Sequence, residues 1–276
     1  MRMEHTFGGM GTRIVLRGRR DGVSAARRRF EEVEGVASRF LPGSALRQVN
    51  RDRRSRVPVG GDLEALLGAA AEIRDRTGGL VDPAVGRMVV AWGYDRDFPD
   101  LVEPAQEPDG DPPGAWAVAG GVVERRPGTV LDLGGVAKGW TCDRVVESGA
   151  VTFASAGGDL RSAEPDLVVE VRDPWDEVAA TVPVGVGALA TSSIARRRWR
   201  AGGTDAHHLV DPRTGRPADT PVLSASVVAA TALEAEAGAK AVLLLGAGGL
   251  AWADRQPWIR RAIVVWAGGS VYGTAA

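Results

Sequence analysis

The stretch Leu131-Asp132-Leu133-Gly134-Gly135-Val136-Ala137-Lys138-Gly139 decides how we interpret this chain. The hydrophobic run 129–131 enters it and predicts a strand, and the apolar spacing that follows predicts a helix. A strand that turns on glycine into a helix leaves backbone N–H groups at the helix start, which favour phosphate. Gly134 and Gly135 allow close approach of a ligand, and Lys138 adds a point charge. The stretch therefore predicts an anion site.

Lysine is rare in this chain. The sequence holds 34 basic residues, and lysine stands only at positions 138 and 240. A lysine kept in such an arginine-rich background suggests a place where a wide, planar guanidinium does not fit. The alternative for Lys138 is a solvated helix start in which lysine arose by chance.

The composition is that of an ordinary globular protein of 276 residues, 44% hydrophobic and 25% charged. The net charge of −1 gives no basic footprint for nucleic acid. One cysteine, Cys142, excludes an internal disulfide and a cysteine-rich metal site. We expect no membrane span, because no stretch reaches roughly 20 apolar residues. The first residues lack the apolar core of a signal peptide, so we expect a cytoplasmic protein.

The apolar periodicity predicts strands and a few long helices, which is typical of the α+β class. A loop rich in Pro, Asp and Glu is predicted over 95–113, and His5 is expected in a disordered tail. Predicted helices run from Asp21 or Ser24 to about Arg39, from Asp62 to Gly78 and over 232–245, with helical turns at 45–49 and after Pro83. Predicted strands are 13–16, 116–118, 122–124, 129–131, 151–155, 167–171, 179–184, 187–190, 208–212, 223–229, 263–266 and 270–272.

Several short motifs follow one another in a fixed order. They are Met10-Gly11-Thr12, Ser44 with Asn50, Gly79-Leu80-Val81-Asp82-Pro83, 132–139 with Asp143, Ala156-Gly157-Gly158-Asp159, Ala190-Thr191-Ser192, 208–215, and the helix after Thr231. Each motif is weak alone, but the ordered set resembles the ApbE family of FAD:protein FMN transferases. The resemblance runs from about Met10 to Gly246.

The resemblance implies an α+β fold of mixed, largely antiparallel sheets with packed helices. It implies one ApbE-like, T-fold-like domain over 1–276, in which two intimately joined lobes form a flavin cleft around 131–143, 191–215 and 231–246. Family members attach FMN from FAD through a phosphoester to a threonine of a target flavoprotein and release AMP. They use FAD as donor and a divalent ion, usually Mg²⁺. Some members instead split FAD into FMN and AMP.

The resemblance also implies site residues. The metal would take the backbone oxygen of Gly135 and side chains of the helix after Thr231. The residues that it implies for the flavin site are Met10, Phe40, Leu80, Val81, Asp82, Asp132, Lys138 and Leu209. Glycine turns and hydroxyl groups can also bind phosphate, so we add Gly134, Gly135 and Thr191 as candidates. For Asp82 the alternative is a turn cap, and for Thr191 a strand end.

His208 is the best candidate base for the threonine proton, because histidine titrates near neutral pH. It matches the family histidine before the Asp-Pro turn. His207 should point to the other face of the strand, so that one of the two faces the cleft. The alternative for His208 is a structural histidine at a strand start.

The last helix departs from the family pattern. Where the family has an Asp and, four residues later, a Thr as metal ligands, this chain has Glu236 and Lys240. An ammonium has no lone pair for a cation. We hypothesise that the ammonium of Lys240, paired with Glu236, occupies part of the space of the metal ion and neutralises the FAD pyrophosphate. Glu236 and Lys240 are therefore catalytic candidates together with His208. The alternative is a surface i, i+4 pair.

Two further functions remain open from the sequence. The chain could bind FAD with weak or no transferase activity, or act as an FAD pyrophosphatase, because Lys240 replaces a metal ligand. If the resemblance misleads, a nucleotide-binding hydrolase or a structural α+β domain is the alternative.

Overall fold

The computed structural model describes residues 3–96, 101 and 113–274, so most of the predicted loop 95–113 lies outside the described residues. The helices are α1 (Arg20–Ala37), α2 (Ala45–Arg51), α3 (Gly61–Arg76), α4 (Gly86–Ala91), α5 (Ala137–Glu147), α6 (Ala232–Leu245) and α7 (Gly249–Ala253), with short 3₁₀ helices at Pro83–Val85 and Gly246–Gly248. None of these helices has the length and apolar character needed to cross a bilayer.

The strands, in chain order, are β1 (Met3–Gly9), β2 (Thr12–Gly18), β3 (Arg56–Pro58), β4 (Trp116–Ala119), β5 (Val122–Arg125), β6 (Val151–Ala156), β7 (Asp159–Ser162), β8 (Val168–Arg172), β9 (Val178–Pro183), β10 (Gly187–Ser193), β11 (Arg198–Ala201), β12 (Thr204–His207), β13 (Val210–Asp211), β14 (Arg216–Pro217), β15 (Val222–Ala229), β16 (Ile259–Trp266) and β17 (Val271–Gly273). Antiparallel sheets with packed helices confirm the predicted α+β class.

The chain divides into two compact units. The first comprises Met1–Glu32, Val136–Ala195 and Thr220–Ala276, and the second comprises Val33–Gly135 and Arg196–Asp219. The boundary between Gly135 and Val136 cuts the stretch on which the sequence analysis centres, so Asp132 belongs to one unit and Lys138 to the other.

The first unit is built on an antiparallel sheet of eight strands in the order β1-β2-β6-β7-β10-β15-β16-β17. Side chains of α1, α5 and α6 pack on one face, where Phe30, Val145 and Ala235 join Ile14 and Ala190 in a buried core. The β8–β9 hairpin packs on the other face around Leu189. Successive residues of a strand face opposite sides, and both faces of this sheet are therefore covered.

The second unit combines short helices with small sheets, in the strand orders β3-β5-β4, β11-β12 and β13-β14. A core cluster forms where α4 meets these last two hairpins, with Met88, Trp92, Trp199 and Val210 buried. The indole N–H of Trp92 donates to the Gly215 carbonyl at 2.9 Å. Large side chains thus tie the 196–219 segment to the rest of this unit.

The predicted strand over 129–131 is wrong, because the structure has no strand there. The side chain of Asn50 instead accepts from the Leu131 N–H and donates to the Leu131 carbonyl, each at 2.8 Å. The next N–H, of Asp132, donates to the Pro83 carbonyl at 2.7 Å. These backbone groups are satisfied outside any sheet ladder, so a buried hydrophobic run need not form a strand.

Other boundaries also differ from the prediction. His5 lies in β1, which pairs with β2 across a tight turn with positive φ at Met10 and Gly11, so the expected disordered tail is wrong. The β11–β12 hairpin was not predicted, since its arginines suggest a solvated face although Trp199 between them is buried. The strand expected over 208–212 is confined to Val210–Asp211, and His208 lies before it.

Candidate functional site

A buried cluster of two ammoniums and two carboxylates lies between α5, α6 and β7, within the first unit. The Nζ of Lys138 lies 2.8 Å from Asp159 Oδ2 and 2.8 Å from Glu236 Oε1. The Nζ of Lys240 lies 2.9 Å from the same Glu236 oxygen. We call these four residues the lysine–carboxylate cluster. Both lysines of the chain therefore meet on one carboxylate, and the predicted Glu236–Lys240 pairing is a buried contact, not a surface pair.

Burial and the neighbouring ammoniums act in opposite directions on the pKa of each carboxyl group in the cluster. Burial opposes the charge of Glu236, which is only 1% exposed, but Lys138 and Lys240 outweigh it and lower the pKa of Glu236 to about 2. Burial, with Glu236 adding to it, raises the pKa of Asp159, while the two lysines counteract. Burial lowers the pKa of Lys138, but its carboxylates dominate and raise that pKa overall. The cluster thus pairs two lysines with two carboxyl groups, and the lysines hold Glu236 in its charged form.

Gly139 brings α5 and α6 close together at this cluster. A Cβ atom at Gly139 would lie 2.8 Å from the Ala232 carbonyl oxygen and 2.9 Å from Glu236 Oε2. The N–H of Gly139 uses the same gap to donate to Glu236 Oε2 at 3.1 Å. A backbone donor and two ammoniums therefore satisfy both oxygens of Glu236.

These residues do not fit the divalent metal that the family pattern implies. The two oxygens of Glu236 already accept from three donors, and the residue four positions on presents an ammonium, which has no lone pair. Within the described ranges, no group of three or more His, Cys, Asp or Glu side chains is arranged to hold a metal ion. The donor set at Glu236 and Lys240 suits a fixed internal cation instead.

Asp143, one turn after Gly139 on α5, caps the start of α6. Its carboxylate accepts from the Ala232 N–H at 2.7 Å and from the Leu233 N–H at 3.0 Å. The Nε of Arg161 lies 3.4 Å from Asp143 Oδ1. Burial raises the pKa of Asp143 to about 6, although these N–H donors and Arg161 favour the charged form. Asp143 thus fixes the helix that carries Glu236 and Lys240.

The raised pKa of Asp143 predicts a pH-dependent stability. The folded state holds this proton more tightly than the unfolded chain, so the contribution is present below about pH 4 and lost as the pH rises through about 6. We expect the wild-type advantage in unfolding free energy over Asp143→Asn to shrink by up to about 3 kcal/mol between about pH 4 and pH 7.5. Urea unfolding of both proteins across this range measures it, and a constant difference would contradict the prediction.

Two predicted acidic residues lie close together in the second unit. Asp82 caps the 3₁₀ helix by accepting from the Ala84 N–H and also accepts from the Trp116 indole N–H, each at 2.8 Å. The Asp132 N–H donates to the carbonyl of Pro83, which follows Asp82. Asp132 in turn accepts from the Gly134 N–H at 2.7 Å. The structure therefore brings 80–83 and 132–134 together, and Asp82 serves as the turn cap that the sequence analysis left open.

Aromatic rings and an arginine lie beside Asp132 in the same unit. The Nε of Arg39 donates to Asp132 Oδ2 at 2.8 Å, and its guanidinium lies 4.4 Å from the Phe40 ring centre. Tyr94 packs edge-on against Phe40 at 5.6 Å and against His208 at 6.4 Å. The Arg39 side chain is 8% exposed, and among the described residues none accepts from its buried Nη2. Phe40, Asp132 and His208, three predicted site residues, thus share one neighbourhood.

The two adjacent histidines have different surroundings. His207 is buried, and its Nε2 lies 3.1 Å from the Ala218 carbonyl. Burial lowers the pKa of His207, which keeps it neutral. His208 is half-buried beside Tyr94, and Leu209 after it is buried. His208 is therefore the more exposed of the two imidazoles, and which of them faces the cleft stays a prediction.

Other predicted residues lie apart from the lysine–carboxylate cluster. The hydroxyl groups of Thr191 on β10 and Ser226 on β15 share a hydrogen bond of 2.8 Å. Alternation along β10 places Thr191 on the face of Leu189, whereas the helices cover the face of Ala190. Met10 packs against the helix-side core at the β1–β2 turn. Within the first unit, only Lys138, Glu236 and Lys240 of the predicted set meet.

Asp159, Arg39 and Tyr94 were missed by the sequence analysis as site residues. In the sequence, Asp159 ends the Ala156-Gly157-Gly158-Asp159 motif and has no site role assigned to it, yet it is buried and paired with Lys138. The rarity of lysine could have indicated this contact, because a buried lysine requires a carboxylate partner. Arg39 carries no comparable signal, because nearly all of the basic residues of this chain are arginines. Tyr94 is one of two tyrosines, but a phenol needs no charged partner, so its rarity does not indicate what it contacts.

Comparisons with known proteins agree on one family. The model of the ApbE family matches residues 10–263. The FAD:protein FMN transferase of Treponema pallidum is 32% identical over 261 residues, covering 79% of this chain and 69% of that protein. The FAD:protein FMN transferase of Salmonella typhimurium is 29% identical over 240 residues, covering 76% of this chain and 67% of that protein.

A solved structure supports the same relationship. The crystal structure of the ApbE protein of Thermotoga maritima superimposes with a TM-score of 0.86 at 25% identity. The match covers 99% of this chain and 97% of that one.

Proposed function

Because the chain belongs to the ApbE family, we propose that it is an FAD:protein FMN transferase. The observation that carries the proposal is the family match from residue 10 to residue 263, with curated relatives that bear this name at about one third identity. These relatives do not favour the alternative of a binding module without activity.

The reaction joins a threonine of a target flavoprotein to FMN. The threonine Oγ attacks the phosphorus on the riboflavin side of FAD, the bond from that phosphorus to the bridging oxygen breaks, and AMP leaves with that oxygen. The threonine proton must pass to a base, for which we propose His208. Such a transfer depends mainly on alignment and on neutralisation of phosphate charge, so the protein needs fixed cations and a positioned base more than it needs a nucleophile.

We propose that the flavin donor is held by the residues predicted from the family pattern. The arrangement of Phe40, Tyr94 and His208 suits a flat ring system, because aromatic side chains pack edge-on or offset against one another. The buried Nη2 of Arg39 offers a donor for a ligand oxygen. The remaining proposed FAD contacts are Met10, Leu80, Val81, Asp82, Asp132, Gly134, Gly135, Lys138, Thr191 and Leu209. The flavin cleft between two lobes and the cytoplasmic location stay predictions.

The proposal is tested with FAD and a threonine-bearing acceptor peptide. We expect flavin fluorescence and the mass of FMN on the peptide, with one AMP released for each flavin attached. A peptide in which alanine replaces the threonine is the matched control and should stay unlabelled. Free FMN and AMP in equal amounts, with no labelled peptide, would contradict the proposal and indicate an FAD pyrophosphatase. Bound FAD without any AMP would leave a binding protein.

A further inference from the structure

We infer that the ammonium of Lys240 permanently fills the place of a divalent cation, so that this chain binds FAD without metal. The inference rests on the proposed function only in taking FAD as the ligand. It differs from the family pattern, in which oxygen atoms of an Asp and a Thr hold the ion. What carries it is the meeting of both lysines of the chain on one buried glutamate.

Both carboxylate oxygens of Glu236 already accept hydrogen bonds. Its Oε1 accepts from Lys138 and Lys240 at 2.8 and 2.9 Å, and its Oε2 accepts from the Gly139 N–H at 3.1 Å. A metal ion on either oxygen would displace one of these donors or lie directly beside an ammonium. Like charges at such distances repel strongly in a buried site.

Lys240 stands one helical turn after Glu236 on α6, and its side chain is 16% exposed. The i, i+4 spacing with the glutamate first is the favourable order for such a pair. Because α6 is fixed at its start by Asp143 and by the Thr231 capping box, the ammonium is held by a helix that is itself anchored. Its position is built into the fold and needs no ligand.

The charge of the lysine–carboxylate cluster depends on which cation stands at position 240. With both carboxyl groups ionised, the two ammoniums give the cluster a net charge of zero, whereas a divalent ion in place of the Lys240 ammonium would leave it positive by one. The ammonium therefore contributes one positive charge fewer than a divalent ion would, and the electrostatic attraction for the FAD pyrophosphate is correspondingly weaker. We expect FAD affinity to be insensitive to metal and to depend on the charge at position 240.

The test measures FAD binding and metal binding separately on the full chain. FAD is titrated in EDTA and again in excess Mg²⁺, with flavin fluorescence as the readout. Mn²⁺ alone is titrated with the electron paramagnetic resonance signal of the free ion as the readout. For the wild type we expect FAD dissociation constants that agree within about twofold, and no protein-bound Mn²⁺ at concentrations that saturate ordinary metal sites.

Three variants sharpen the test. Lys240→Arg keeps the charge and should keep metal-independent binding, although its planar head group fits less well. Lys240→Met should weaken FAD binding in EDTA by about tenfold, as expected for the loss of one charged contact. The double change Glu236→Asp with Lys240→Thr restores two oxygen donors and should make FAD binding depend on Mg²⁺.

Two wild-type results would overturn the inference, and neither requires a variant to fold. One is an FAD affinity at least about tenfold higher in Mg²⁺ than in EDTA. The other is one tightly bound Mn²⁺ per wild-type chain. If FAD binds under no condition, the proposed function fails, and the Mn²⁺ titration still decides whether Lys240 excludes the ion.

Discussion

Replacing Glu236 by glutamine is expected to lower the free energy of unfolding by about 3–5 kcal/mol. The change keeps the shape of the side chain but removes the negative charge that faces both Lys138 and Lys240. Asp159 then stands alone against two buried ammoniums, and an uncompensated buried charge is strongly destabilising. Urea unfolding at neutral pH, followed by circular dichroism, gives the difference directly.

Two controls separate charge from packing. The double variant Glu236→Gln with Lys240→Met removes one charge of each sign and should recover most of the loss, because the Lys138–Asp159 pair remains balanced. On the same helix as Lys138, Glu147→Gln breaks an exposed pair with Arg144 and should cost less than about 1 kcal/mol. A Glu236→Gln protein as stable as the Glu147→Gln protein would contradict the proposed charge balance.

Replacing His208 by alanine is expected to slow FMN transfer by about 10²- to 10⁴-fold, the usual contribution of general base catalysis. Without the imidazole, the threonine proton would lose the acceptor that we propose for it at the moment of attack on the phosphorus. The turnover number should fall while the FAD dissociation constant changes by only a few fold, since Phe40 and Tyr94 remain. Rates of AMP release and fluorescence titrations of FAD measure the two quantities.

The matched control for this variant is His5→Ala. His5 lies in β1 and stacks on Phe7 at 5.7 Å, and we assign it no part in the reaction. It should leave both turnover and FAD binding unchanged. A His208→Ala enzyme that retains more than about a tenth of the wild-type turnover would show that another group takes the proton.

The sequence predicted the fold class and the family well, because both depend on patterns that run along the chain. Helical spacing placed α3 and α6 within a residue or two, and the left-handed glycines Gly78 and Gly79 end α3 as expected. The ordered short motifs identified the ApbE family without any structural information. Such patterns predict helix ends well because they depend on residues that are close together in the sequence.

Contacts between distant segments were harder to predict. The run 129–131 has the character of a strand, yet Asn50, some 80 positions earlier, takes its backbone hydrogen bonds. Asp159 looks like a turn residue until β7 carries it to Lys138. The contact between Lys240 and Glu236 was predictable, because the two residues are four positions apart on one helix. In each missed case the deciding partner lies far away in sequence, and no periodic pattern reports on it.

The close contact of α5 and α6 at Gly139 has a consequence for how such sites can change over time. The two helices approach so closely at Gly139 that no side chain fits there, and this contact involves neither Lys138 nor Lys240. Substitutions within one turn of α6 can then exchange a dissociable ion for a covalently attached one while the helices stay in place. A chain that makes this exchange becomes independent of the cellular supply of that ion.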